Sequence, residues 1–375
     1  MAPLVPILLA VAQAASAPPS EVRGLWVVRT GLESPAAVDR VVEQAREGGF
    51  NALFVQVRGR GDALYASRIV PRSPLLERQP PDFDPLARLL ERARSRGIEV
   101  HAWVNVLLTS HFPAPPADNL VTRHPEWVMV PRSAARPVVP ANRQGILWLV
   151  RQASRGDSDT EGFYLSPSAP EVQQHLEAVV RELVRQYPLK GLHLDFIRYP
   201  NEEYDWSVAA LEGFRRQQGG KGDLLALPAA RPEAWEAYRR GVLTALAERL
   251  ATAARAERPG IVISAAVVPD ESAAVHHRYQ DWPTWLARGI LDAVCPMTYT
   301  PDTRLFREQV ESAGALAKPG QGVWAGVGAY RLTIDDVMEK ILTARRAGAS
   351  GVVLFSHESL PSAALRRLAV EVFAP

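Results

Sequence analysis

Two polar residues interrupt an apolar strand in the segment GLHLDFIRYP, residues 191–200. Side chains alternate in direction along a strand, so Leu192, Leu194 and Phe196 form one row, and His193 and Asp195 form the other. Arg198 follows Asp195 by three residues, and a nearby guanidinium favours an ionised carboxylate. Such a group can act as a nucleophile, as a general base, or as a stabiliser of positive charge in a sugar ring. Glycoside cleavage normally needs a second carboxylate as proton donor. Candidates stand at the ends of other apolar strands: Asp62, Asp270, Glu271, Asp302 and Glu358. Glu271 is chosen because it closely follows a strand end, and Asp62, Asp270 and Glu358 stay open beside it.

These strands belong to a repeated alternation of short apolar runs and longer segments of helical period. Strands are predicted at 22–29, 52–58, 98–106, 191–197, 261–268, 292–299, 322–328 and 351–357. Helices are predicted near 35–48, 84–96, 171–187, 232–257, 305–317 and 334–346, with shorter ones near 282–288 and 361–372. Gly97, Gly289 and Gly348 close helices just ahead of strands. Eight βα units predict an α/β chain folded as one (β/α)8 TIM barrel over residues 20–375, with its active site at the C-terminal strand ends. Long loops follow strand three (107–169) and strand four (200–231), where lids and binding loops are built. An open dinucleotide-binding sheet would carry a G-x-G-x-x-G turn after strand one, where this chain reads RTGLESP. No P-loop occurs either, and no cofactor is expected.

Alternation assigns the inward faces. In strand three Val100, Ala102 and Val104 face out, and Glu99, His101, Trp103 and Asn105 face in. In strand two Phe54, Gln56 and Arg58 face in. Buried unpaired polar groups cost roughly 1–3 kcal/mol each, so this interior must be hydrogen-bonded, solvated or functional. Arg58, Asn105 and Asp195 are nearest the C-terminal ends and are expected at the mouth. Glu99, His101 and His193 lie deeper, as a satisfied polar network. Trp103, Tyr199, Trp206, Tyr299 and Trp324 lie at or near strand ends, where aromatic faces can stack on sugar rings. The substrate-binding set is Trp103, His193, Tyr199, Trp324 and Glu358, together with residues named below.

Composition narrows the partners. The 43 basic and 41 acidic residues nearly cancel, so no basic face for nucleic acid is expected. Residues 1–17 are uncharged and mostly apolar, with Ala-x-Ala sites ending at Ala14 and Ala17. They read as a secretory signal peptide, and the mature protein is expected to be periplasmic or secreted. No later segment is apolar enough for a membrane span. The single cysteine, Cys295, excludes disulfides within the chain and a cysteine-based zinc site.

The chain resembles the bacterial glycosyl-hydrolase-like family 10, exported proteins with a (β/α)8 barrel. The resemblance rests on RGLWV at strand one, VQVRGRGDALYAS at 55–67 and FDPLARLLERARSRGIEVHAWVN at 83–105. HPEWV at 124–128, YLSPSAPEVQQHL at 164–176, GLHLDFIRYP and the run from Trp282 to Tyr299 complete it. It implies a glycoside hydrolase acting on polysaccharide, with bacterial cell-wall glycan as the expected substrate, and it implies that Asp195 is catalytic. It suggests Arg58, Asp62, Asn105, Arg198 and Tyr299 as site residues. Relatives often continue strand three as Asn-Pro-Tyr-Arg, where Asn105 here is followed by VLLTS. Many carry Asp or Asn where this chain has Ser166. Two other functions compete. One is a carbohydrate-binding barrel with no acid in reach of Asp195. The other is a metal-dependent amidohydrolase, which calls for paired histidines at a strand end; strand one has none, and His276 and His277 are adjacent.

Overall fold

Strands with one apolar row for helices and one row for an enclosed interior can satisfy both faces only by closing. In the computed structural model, which describes residues 21–111, 119–135, 144–145, 160–219 and 223–374, eight parallel strands do close. They are β1 (Val22–Val27), β2 (Ala52–Arg58), β3 (Glu99–Asn105), β4 (Gly191–Asp195), β5 (Val262–Val267), β6 (Ala293–Pro296), β7 (Gly322–Gly328) and β8 (Gly351–Phe355). Neighbours in the barrel are neighbours in the chain, and β8 pairs with β1. Helices Pro35–Glu47, Pro85–Arg94, Pro170–Gln186, Pro232–Glu257, Thr303–Leu316 and Ile334–Arg346 connect them on the outside. The chain is a (β/α)8 barrel, as its periodicity predicts. Residues 1–17 lie outside the described residues. Among the described residues, no helix is long and apolar enough to cross a membrane.

Local chemistry sets the joints. Ser34 and Asp84 cap their helices by accepting from the N–H groups of Ala37 and Ala87, each just ahead of a proline in the first turn. Gly97, Gly289 and Gly348 take φ of 69°, 69° and 83°, the left-handed geometry that ends a helix cheaply only in glycine. The loop after β3 contains a short antiparallel pair, Leu108–His111 with Gly162–Tyr164. The loop after β4 contains a helix, Val208–Gln218. Neither element is among the sequence expectations, and nor is helix Glu271–His277 after β5.

The barrel interior is packed by a few large rings rather than many aliphatic ones. Trp26, Phe54, Trp103 and Trp324 share it with Ala52, Ala293, Cys295 and Val353. Glycine makes the room. A Cβ on Gly191, at the start of β4, would stand 2.0 Å from His101 Nδ1. The His101 ring cannot retreat, because it stacks on Phe54 with centroids 4.6 Å apart. Gly191→Ala is therefore expected to destabilise the fold by about 1–3 kcal/mol through overpacking. Urea unfolding measures this, and adding His101→Ala should return part of the loss.

Candidate active site

The β3–β4 register sets Asn105 beside Asp195 and Trp103 beside His193. The upper pair opens on a cavity of about 300 Å³ at the C-terminal end of the barrel. Trp103, Asn105, Asp195, Arg198 and Tyr299 line it, with Trp26, Gln56, His111, Phe196, Met297 and Phe355. Asp195 is only 6% exposed, and its oxygens are fully addressed. Oδ1 accepts from the Phe196 N–H at 2.6 Å and from Arg198 at 3.4 Å, while Oδ2 accepts from Trp103 Nε1 at 3.1 Å. The chain reverses directly after this acid, at Phe196, whose φ is +50°. For a residue other than glycine that conformation costs on the order of 1–3 kcal/mol. Burial pushes the Asp195 carboxyl above its ordinary value, and the charge of Arg198 with the three hydrogen bonds offsets this only in part.

Asn105 connects the acid to the barrel wall. Its Oδ1 accepts from Trp103 Nε1 at 2.9 Å and from Gln56 Nε2 at 3.3 Å, and its Nδ2 donates to the Gly59 carbonyl. Below lies His193. Trp26 Nε1 donates to its Nε2 at 3.2 Å, so its proton sits on Nδ1 and is directed at Ser264 Oγ, 2.9 Å away. Burial pulls His193 and His101 each down to about 3, so both are neutral in the folded protein. Unfolded histidine titrates near 6.5. Between those values the unfolded chain binds more protons, and stability must fall as pH drops below about 6.5. The expected loss approaches 1.4 kcal/mol per pH unit per histidine, read as a falling melting temperature between pH 7 and pH 5. His101→Phe should reduce that slope, because it removes one of the two groups that only the unfolded chain protonates in this range.

Arg198 carries a second carboxylate. Its NH1 faces Asp195, and its NH2 lies 3.5 Å from Glu161 Oε1. Glu161 directly precedes the second strand of the short antiparallel pair and lies behind two residues of the cavity wall, Arg198 and His111. Its carbonyl oxygen meets His111 Nδ1 at 2.8 Å, and its Oε2 accepts from the Tyr164 hydroxyl at 2.7 Å. Burial works against this carboxylate, but Arg198 and Tyr164 outweigh it and hold Glu161 below its ordinary value. The Arg198 guanidinium also lies 4.2 Å from the centroid of the Phe196 ring. On the opposite wall Tyr299 and Phe355 pack with centroids 5.7 Å apart. Tyr330, 47% exposed, stands edge-on to both.

Several expectations move. The β2–β3 register shifts between Gln56 and Arg58, so Arg58 pairs with Val104 on the outward row. Its guanidinium binds the carbonyl oxygens of Asn105 and Val106 and is fully buried away from the cavity. Glu271 is exposed in the first turn of its own helix and lines a separate surface cleft with Asp270; it is not brought to Asp195. Asp270 and Asp302 cap helices. Asp62 is buried in its loop, accepting from the Arg60 N–H. Glu358 accepts from the Thr30 hydroxyl and is outside the cavity lining. Tyr199 is fully buried, edge-on to Tyr279. Trp324 sits near the start of β7, deep against Phe54 and His101. Trp206 joins Phe214, Trp235 and Tyr238 in an outer cluster. Glu99 is exposed at the start of β3 and pairs with Lys190. Trp26 is not among the sequence expectations, although the alternation of strand one was a signal that could have found it. Glu161, in a loop without periodicity, carried no such signal. The histidines are not gathered either: among the described residues, no group of three His, Cys, Asp or Glu side chains is placed to hold a metal ion.

The glycosyl hydrolase-like 10 family model matches residues 21–318. Glycosyl hydrolase DigH of Escherichia coli K12 is 26% identical over 325 residues, covering 75% of this chain and 66% of the relative, just under two thirds of its length. Glycosyl hydrolase YngK of Bacillus subtilis is 25% identical over 185 residues, covering 47% of this chain and 31% of that protein. Among solved structures, the glycoside hydrolase domain of PgaB (BpsB) from Bordetella bronchiseptica superposes with a TM-score of 0.68 at 15% identity, covering 93% of this chain and 98% of that one. A β-galactosidase from Bacillus circulans superposes at 0.61 with 13% identity, covering 90% of this chain and 50% of that one. These likenesses are likenesses of fold.

Proposed function

The chain belongs to the glycosyl hydrolase-like 10 family, and from that premise we propose that it is an exported glycoside hydrolase that cleaves bacterial cell-wall glycan, with Asp195 as a catalytic residue. The observation that carries this reading is a buried carboxyl group at the barrel mouth, raised above its ordinary value and open to a cavity with aromatic walls. A carboxyl group whose surroundings raise its hold on the proton is what glycosidic cleavage asks of a proton donor. Trp26, Trp103, Tyr299 and Phe355 offer apolar faces for sugar rings, while Asn105, Gln56 and Arg198 offer partners for hydroxyls. Export rests on residues 1–17, and cell-wall glycan rests on the family.

A carbohydrate-binding barrel without catalysis would have no second carboxylate near Asp195. Glu161, on the same guanidinium, favours the hydrolase. The test is incubation of the mature protein with peptidoglycan glycan strands stripped of their stem peptides, followed by mass spectrometry of the soluble products. Released oligosaccharides are the expected result. Retention of the strands by the protein with no release would replace the hydrolase by a binding barrel.

A further inference from the structure

The second carboxylate of the reaction is not among those that follow the barrel strands. We propose that Asp195 donates the proton to the glycosidic oxygen and that Glu161 is the paired base, the two carboxyl groups being held on the two ends of the Arg198 guanidinium. This assignment rests on the glycoside hydrolase reading above.

Geometry is the first argument. Asp195 Oδ1 and Glu161 Oε1 lie 3.4 and 3.5 Å from different terminal nitrogens of one rigid, planar group. That limits the separation of these oxygens to within the upper end, roughly 9.5 Å, of the spacing found in paired-carboxylate glycosidases. A guanidinium between the two groups also keeps them from touching, which suits a site where a water must enter between base and sugar. Environment is the second argument. Asp195 is enclosed, with Trp103, Arg198, Tyr164, Tyr299 and Cys295 around it. Glu161 is 46% exposed beside the cavity-lining Arg198 and His111, with Arg278 and Tyr164 also near it. The enclosed member is raised and the exposed member is lowered. Environments that push a pair apart in this way assign acid and base.

The step balances. The proton of Asp195 passes to the bridging oxygen as its bond to the anomeric carbon breaks. A water attacks that carbon from the opposite face, and Glu161 takes the proton that the water loses. The products are a reducing-end sugar of inverted configuration and a free hydroxyl. Asp195 is left ionised and Glu161 protonated, and exchange with solvent restores both.

The experiment compares wild type, Glu161→Gln and Asp195→Asn on stripped glycan strands across pH, with folding checked by circular dichroism. Wild type should show a bell-shaped kcat/KM profile. Glu161→Gln should lower kcat by roughly 10²–10⁴-fold and abolish the acidic limb, because the base no longer titrates. Azide should then rescue turnover and yield a glycosyl azide of inverted configuration. Asp195→Asn should abolish the alkaline limb instead. If wild type cleaves and Glu161→Gln keeps its rate and both limbs, Glu161 is a salt-bridge partner of Arg198 only and the assignment fails alone. Retained configuration in the wild-type product would also overturn the base role. If wild type releases nothing, the hydrolase reading itself fails.

Discussion

Asp195→Asn is expected to lower glycan cleavage by roughly 10²–10⁴-fold, the usual contribution of a positioned acid or base. The substitution is nearly isosteric, so its effect on the fold should be modest. An asparagine oxygen placed at Oδ1 keeps the bonds from Phe196 and Arg198. Its amide nitrogen then faces Trp103 Nε1, a donor against a donor, where a bond of 3.1 Å stood before. Such a mismatch costs about 1–3 kcal/mol, and removing a buried ionisable group offsets part of that cost. A melting temperature within several degrees of wild type, together with loss of soluble oligosaccharides, is the expected pair of results. Full activity in a folded Asp195→Asn protein would remove Asp195 from the mechanism.

Arg198→Met should reduce both activity and stability. The Arg198 and Asp195 side chains are 10% and 8% exposed, and breaking a buried pair by removing one partner typically costs about 3–5 kcal/mol. The pH dependence gives the more specific signature. The folded value of Asp195 is already raised by burial, with Arg198 opposing. Without Arg198 it rises further, so the folded state binds more protons than the unfolded state over a wider range. Stability then falls more steeply as pH rises from the unfolded carboxylate value, near 3.9. Glu161 behaves in the opposite sense. Its folded value is depressed, with Arg198 chief among the causes. In wild type it contributes stability that is present above the unfolded value and lost as pH falls through the folded one. That contribution should shrink in the variant. Arg198→Met should thus lose more stability at pH 7 than at pH 4. Urea unfolding at the two pH values, compared with wild type, measures it. Equal losses at both would mean that Arg198 acts through packing alone.

The barrel was legible because its signal is periodic. Alternating rows in 52–58, 98–106 and 191–197 are long enough to define a face, and 232–257 and 334–346 keep a helical period to both ends. The same alternation brought Trp103, Asn105 and Asp195 to one interior, which the β3–β4 register realises. It misplaced Arg58. A bulge adds one residue to a strand and reverses every later side chain, and nothing in VQVRGRG marks where the extra residue sits. Strand-end position misled for Glu271 and Tyr199. A residue after a strand can continue over the mouth, begin a helix or turn beneath a loop, and only packing selects among these. Glu161 is the clearest instance: it lies 34 residues before Asp195 in an aperiodic loop and meets it through Arg198. Local sequence determined the strands, the faces and the acid at the end of β4, since those depend on neighbours two to four positions away. Tertiary structure alone decided which second carboxylate shares its guanidinium, because that pairing joins elements whose separation in the chain has no period.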